Sequence, residues 1–453
     1  MSSKQKSAPA PPSNADLIFP AIIGLFFFIT IIKFGSPVII QYSAVQDAPH
    51  VLDAPQDFVS AIFDIWPTNW GPWLFVPVAL VGVFAIALDR AKFHWALVLP
   101  LIWLVWEFVS ATQTVNPALT KITLTHFTVC VCLFYLGFFA RTGMSNPWPL
   151  WAGMGLALCW AMRSGIQQHF GGLEATRKMM AESPDLAGMS AKMLSNPEYL
   201  KRLASDRIFG TFGGYANSLA GGIVLLLPLT LVFVWRLTPK VRTPIRVLFL
   251  LILGGCGLGC LYWSGSKAGW LVALLVGLVA LGHSPLPLKW KRWLIYGVLV
   301  LGVAGFVYKY AGFFQKERNS VGARFIYWKA ALNVTRRHPW LGTGPGTFQI
   351  PFAQLKNPAA EMARLCHNDY LEQASDSGVF GFVTYTGMVI VTIMLLYRYI
   401  TQNAPVNWLN FAVFIGIIGL CLHSLVEFHL YVPALSWPMF FLLGWLMSRY
   451  NYR

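Results

Sequence analysis

Residues 364–381 read RLCHNDYLEQASDSGVFG. Arg364, His367, Asn368, Asp369, Glu372 and Asp376 crowd into this stretch, and apolar text resumes directly after it. Asn368 or Asp369 can cap a helix whose first turn carries Glu372. His367 then stands just ahead of the helix N-terminus, where the positive end of the dipole disfavours a cationic ring. A neutral imidazole can take a proton from a hydroxyl, so His367 is the candidate general base. Taken alone, a capping or surface histidine is the plainer reading. A second candidate, His423, lies in LHSLVEFH, a stretch that His429 closes.

Three cation-bearing segments share this pattern of polar residues at the edge of apolar blocks. Arg207 opens RIFGTFGGYANSLAGG, followed by Gly210, Gly213, Gly214 and Asn217. The glycines permit a turn or a close backbone approach entering a membrane span. Lys267 is the single charge in YWSGSKAGW, a very short turn between two apolar blocks. Snorkelling to an interface is the plain alternative for both cations. Arg324, Tyr327, Trp328 and Ala331 fall at i, i+3, i+4 and i+7, one face of a helix, with the two aromatic rings suited to the headgroup level. The GTGPG that follows (342–346) is a rigid turn; it lacks the spacing and the lysine of a nucleotide loop. Cations at the mouth of an apolar region suit a lipid-linked phosphate or diphosphate, which Arg grips through two oxygens at once. With a base nearby, this set could displace a diphosphate from a sugar C1 by an incoming hydroxyl. No Asp, His or Cys group at metal-ligand spacing accompanies it, so no cofactor is expected.

The elements that must position these residues follow from composition. The chain has 453 residues, 56% hydrophobic and 11% charged. Soluble domains carry roughly 25% charged residues. The apolar blocks are long enough to cross a bilayer as helices and do not alternate as barrel strands do. An all-α integral membrane protein with about twelve transmembrane helices is expected. The blocks are roughly 17–39, 72–88, 94–112, 124–140, 147–163, 215–235, 244–262, 267–283, 293–309, 379–398, 408–426 and 431–448. Short loops carrying Arg90, Lys92, Arg141, Arg236, Lys240, Arg242, Arg246, Lys289, Lys291, Arg292, Arg398, Arg449 and Arg453 fall on one side. The positive-inside rule makes that side, and both termini, cytoplasmic. The same rule accounts for part of the net charge of +16, so nucleic acid is not an expected partner.

The other side receives an acidic segment, 40–71, and two long segments, 164–214 and 310–378. Loops that long carry function or helices of their own, and short surface helices are expected in 186–205 and 323–338. Residues 1–16 read as a disordered cytoplasmic tail, and 17–453 as one membrane domain with an extracytoplasmic cap. The run after residue 16 lacks a convincing signal cleavage site and is kept as the first span. Seven cysteines without a CxxC pair read as packing residues, with no structural disulfide or zinc site.

The segments also carry a resemblance. HNDYLEQASDSGVFG resembles the signature of the O-antigen ligase and polymerase superfamily, HNxxLxxxxExGxxG, with Asp376 where Glu is usual. RIFGTFGGYANSLAG resembles its arginine segment, and YAN departs from the usual Asn-Pro-Asn. SGSKAGWLVALLVG resembles its Ser-Arg-Gly segment, with Lys267 for arginine and Ala268 for glycine. ARFIYWKAALNVTRRHPWLGTGPGTF resembles the arginine-tryptophan helix and turn before the signature. The likeness runs in order from about 200 to 435. It implies a GT-C-like membrane glycosyltransferase of the bacterial inner (cytoplasmic) membrane, with its active site on the periplasmic face. Such enzymes move a glycan from undecaprenyl diphosphate, without metal and with inversion, to lipid A core or to a second lipid-linked glycan. Carried over, Arg207 and Arg324 bind the diphosphate, Lys267 assists, and His367 activates the acceptor hydroxyl. Asn217, Ser266, Asn368, Tyr370 and His423 lie in or beside these segments and are expected in support. Ligase stands ahead of polymerase, with a protein O-oligosaccharyltransferase behind them. A solute transporter would want polar or broken helices at mid-membrane. A non-catalytic glycan-binding scaffold would tolerate replacement of His367.

Overall fold

The computed structural model describes residues 15–47, 55, 57–86, 94–139, 144, 146–182, 204–316, 319–357, 362–402 and 406–451. Residues 1–14 of the expected tail, most of the helix expected in 186–205, and the loop cations Arg90, Lys92, Arg141 and Arg453 lie outside these residues, while Ala15 and Asp16 already belong to α1. Thirteen helices of twelve residues or more occur among the described residues: α1 (Ala15–Lys33), α2 (Gly71–Ile86), α3 (Leu99–Ser110), α4 (Pro117–Phe139), α5 (Trp148–Gln167), α6 (Ala216–Leu237), α7 (Thr243–Trp263), α8 (Lys267–His283), α9 (Leu288–Lys316), α10 (Asn319–Arg337), α11 (Asp369–Gln402), α12 (Trp408–His423) and α13 (Pro433–Asn451).

The chain is an all-α membrane protein. Among the described residues, six helical stretches are long and apolar enough to cross a membrane: Trp95–Gln113, Pro117–Phe139, Ala216–Leu237, Thr243–Trp263, Leu288–Tyr308 and Asp369–Ile400. Four shorter apolar helices accompany them, at Leu17–Lys33, Lys267–His283, Trp408–His423 and Pro433–Ser448. Each of the twelve apolar blocks overlaps a helix among the described residues. The amphipathic segment of 323–338 is the thirteenth helix, α10.

The core forms where helix backbones come close. α13 crosses α4 at Gly137 and Gly444, where an added Cβ would stand 2.1 Å from the Phe441 carbonyl oxygen and 1.8 Å from that of Phe134. Only small residues allow such a crossing, which gains dispersion contacts without help from water. α1 packs on α5, α6 on α12, and α3 and α10 on α11. At the periphery, α9 turns Val300, Leu301 and Trp293 outward, as a lipid-facing helix does.

α11 is two helices in one. Gly378 breaks it with φ 70° and ψ −170°. An L side chain is strained there, and a Cβ would meet the Trp340 carbonyl oxygen at 2.1 Å. The polar turns 369–377 therefore leave the axis of the apolar part and point into the protein.

Candidate functional site

Many helix termini meet at one end of the bundle. The Phe34 carbonyl, just after α1, accepts from Ala434 N in the first turn of α13 at 3.1 Å. Gln168, after α5, accepts from the backbone N–H groups of Phe209 and Gly210. Arg207 Nε, ahead of α6, donates to the Ser264 carbonyl after α7 at 2.7 Å. Asp369 N, opening α11, donates to the Ser424 carbonyl after α12 at 3.0 Å. The opposite end carries the basic loops. There Arg246 covers the Trp235 ring at 3.6 Å, and Arg236 donates to Asn407 at 3.0 Å.

Glu427, in the turn between α12 and α13, organises the first end. It is 2% exposed. Its Oε1 accepts from Arg324 Nη2 and, at 2.5 Å, from Asn217 Nδ2. Its Oε2 lies 3.2 Å from His367 Nδ1. Asn217 in turn accepts through Oδ1 from Arg207 Nη2 at 2.6 Å. One carboxylate thus gathers α10, the start of α6 and the loop before α11. Burial alone would raise the Glu427 pKa; Arg324 and His367 outweigh it and hold the carboxyl well below its ordinary value. Glu427 is therefore ionised across the neutral range.

His367 is held by aromatic neighbours while 29% of its side chain stays exposed. Tyr327 stacks on its ring at 5.9 Å, and Phe428 meets it edge-on at 4.6 Å. Trp328 Nε1 lies 3.4 Å from its carbonyl. The Arg324, Tyr327, Trp328, Ala331 face of α10 is the face that packs here. Tyr327, expected at headgroup level, is 5% exposed and buried beside the imidazole. The backbone of His367 has φ 55°, the sole positive value outside glycine among the described residues. Left-handed conformations of this kind cost energy and concentrate at functional positions.

A second polar group adjoins the first. Ser266 caps α8, accepting from Gly269 N at 3.2 Å. Its Oγ lies 3.4 Å from His423 Nε2, and His423 Nδ1 lies 2.9 Å from His429 Nε2. Burial, aided by His423, holds His429 well below its ordinary pKa, so it is neutral. Lys267 follows Ser266 as the first residue of α8. Gly265 precedes it with φ 63°, and a Cβ there would meet Arg207 Nε at 3.1 Å. The turn that presents Lys267 is thus pressed against Arg207.

Other residues of the signature secure the scaffold. Asn368 Oδ1 caps α11, accepting from Tyr370 N and Leu371 N at 3.0 Å. Glu372 reaches back to Cys366 N, and Asp369 accepts from Leu430 N at 2.9 Å. Tyr370 turns inward and donates to the Cys421 carbonyl at 3.0 Å. Asp376 accepts from Gly346 N at 2.7 Å and from the Tyr431 hydroxyl at 3.3 Å. It ties the GTGPG turn to α11 instead of joining the polar group around Glu427. Glu427 lies in LHSLVEFH, between His423 and His429, and is not among the expected site residues. Among the described residues, no group of three or more His, Cys, Asp or Glu is placed to hold a metal ion.

Between α6, α7, α8 and α12 lies an apolar cavity of about 310 Å³. Ile223, Leu227, Leu258, Val276, Phe411 and Ile415 are among its walls. The four helices that enclose it carry Asn217, Trp263, Lys267 and His423 at their site ends.

Residues 254–386 match the profile of a family described as O-Antigen ligase. This match supports the O-antigen ligase and polymerase superfamily, in agreement with the sequence motifs. The matched span includes Lys267, Arg324 and His367; Arg207 and Glu427 lie outside it. No curated protein matches the chain.

Proposed function

We propose that the chain is an O-antigen ligase-like glycosyltransferase. It moves a glycan from undecaprenyl diphosphate to an acceptor hydroxyl, lipid A core being favoured. The observation that carries this reading is the convergence of Arg207, Arg324 and His367 on the Asn217–Glu427 pair at one end of an apolar bundle. In this reading Arg207, Arg324 and Lys267 face the diphosphate. With Glu427 they sum to a formal charge of +2, which matches the two ionised phosphates of a diphosphate diester. The apolar cavity between α6 and α12 would receive part of the prenyl chain.

His367 takes the proton of the acceptor hydroxyl. The hydroxyl oxygen attacks the sugar C1 from the face opposite the diphosphate. The C1–O bond to phosphate breaks as the new C1–O bond forms, so the anomeric centre inverts. The leaving diphosphate keeps the electron pair, and the arginines stabilise its charge. Cationic side chains supply that stabilisation, so the reaction proceeds without divalent metal, and chelator leaves the rate unchanged.

The basic loops at the opposite end support a cytoplasmic position for that end. The active site then faces the periplasm from a multi-pass chain of about twelve crossings in the inner membrane, with both termini cytoplasmic. The long segments 164–214 and 310–378 form its outer cap over a single membrane domain.

The deciding experiment supplies the purified protein with undecaprenyl diphosphate glycan and either lipid A core or a second lipid-linked glycan. Extension of lipid A core supports ligation. Extension of the lipid-linked glycan alone replaces ligase with polymerase. Extension of neither, with the protein folded, refutes the reading.

A further inference from the structure

The two oxygens of Glu427 serve different partners. Oε1 accepts from Arg324 and from Asn217, which holds Arg207. Oε2 lies 3.2 Å from His367 Nδ1. The cationic side of the site and the histidine side meet on this one carboxylate, which is 2% exposed and shielded from competing water.

We infer that Glu427 is a positioning residue that fixes the His367 tautomer for proton abstraction while holding the diphosphate-binding arginines in register. This inference rests on the functional reading above and adds to it a residue that acts through His367 and Arg324. An ionised carboxylate can only accept hydrogen bonds. Facing it, His367 Nδ1 must carry the proton, and the lone pair of the neutral ring falls on Nε2. Tyr327 and Phe428 restrict the ring from turning, so Nε2 is aimed by packing as well as by charge. The left-handed backbone at His367 fits such a role, because strain at a single non-glycine residue persists where the surroundings over-determine it.

The test uses the chemical difference between Glu and Gln. In Glu427→Gln the amide oxygen can still accept from Arg324 and Asn217. The amide NH₂ then faces His367 Nδ1 and favours the tautomer protonated on Nε2, which cannot take the acceptor's proton. The wrong tautomer in an analogous carboxylate–histidine pair costs about 10⁴-fold in kcat. A loss of roughly 10³ to 10⁴-fold in kcat is therefore expected for Glu427→Gln. Its affinity for undecaprenyl diphosphate, measured in nanodiscs with the unglycosylated lipid, should stay within about threefold, because the Oε1 side is kept. Glu427→Asp restores a carboxylate and should recover part of kcat.

The double variant Glu427→Gln, His367→Ala should be no slower than His367→Ala alone, since one residue acts through the other. Multiplying losses in the double variant would overturn the inference. So would full kcat in Glu427→Gln, or equal loss of kcat and of lipid affinity in that variant, which would mark a merely structural residue. If wild-type protein binds no undecaprenyl diphosphate, the functional reading itself fails. If wild type binds and transfers while Glu427→Gln matches it, only the present inference fails.

Discussion

Arg324→Lys separates the grip on a diphosphate from the stability of the fold. Arg324 is 21% exposed at its side chain and pairs through Nη2 with a carboxylate that is 2% exposed. Removing the cation altogether would leave Glu427 buried without its principal counter-charge. Breaking a buried pair in this way costs about 3–5 kcal/mol, so an alanine variant would confuse unfolding with lost binding. Lysine keeps the charge beside Glu427. What it loses is the planar fork, which lets one guanidinium hold Glu427 and a phosphate oxygen together. One charge-assisted hydrogen bond to the donor is then lost, worth about 1.5–3 kcal/mol. That converts to a rise of roughly 10- to 100-fold in donor KM, with 1.4 kcal/mol per factor of ten. kcat should fall by less, because the base is untouched. The assay is glycan transfer by purified protein across a range of lipid-linked donor, alongside thermal melting in detergent. An unchanged donor KM in folded Arg324→Lys would refute the placement of Arg324 on the diphosphate.

His367→Ala should slow transfer at least as much as Glu427→Gln does, leaving a small residual rate, with the protein inserted and its melting temperature within a few degrees; turnover at the wild-type rate would remove the base. Asp376→Ala should do the reverse, because Gly346 N–H and the Tyr431 hydroxyl lose a buried acceptor. A destabilisation of about 1–3 kcal/mol is expected, with near-normal donor KM in the folded fraction, read by melting and initial rates. Glu427 adds a pH dependence of stability. Its folded pKa lies below the unfolded value, so its contribution is complete above about pH 4.3 and is lost as pH falls from there through the folded value. The difference in melting temperature between wild type and Glu427→Gln should therefore be constant from pH 7 to 5 and shrink in stronger acid. A difference that grows on acidification would contradict the ion pairing.

The helices were legible in the sequence because each is announced locally. Apolar blocks long enough to span a bilayer each land on a helix, and the i, i+3, i+4, i+7 face of α10 is the one that packs against His367. The cap at Asn368 follows from the same short-range logic. The arginines and His367 were readable because polar residues at the edge of apolar text are costly and stand out. Glu427 lies in LHSLVEFH, where the histidines stand out, but a single carboxylate there does not announce its partners. Its meaning comes from partners 60, 103 and 210 residues away. The same distance hides the role of Asp376. In the signature it reads as one more acid beside His367, yet the break at Gly378 and the docking of the GTGPG turn direct it to Gly346 and Tyr431. Spacing along the chain names the residues able to do chemistry, while the fold decides which carboxylate joins the histidine and which one holds the scaffold beneath it.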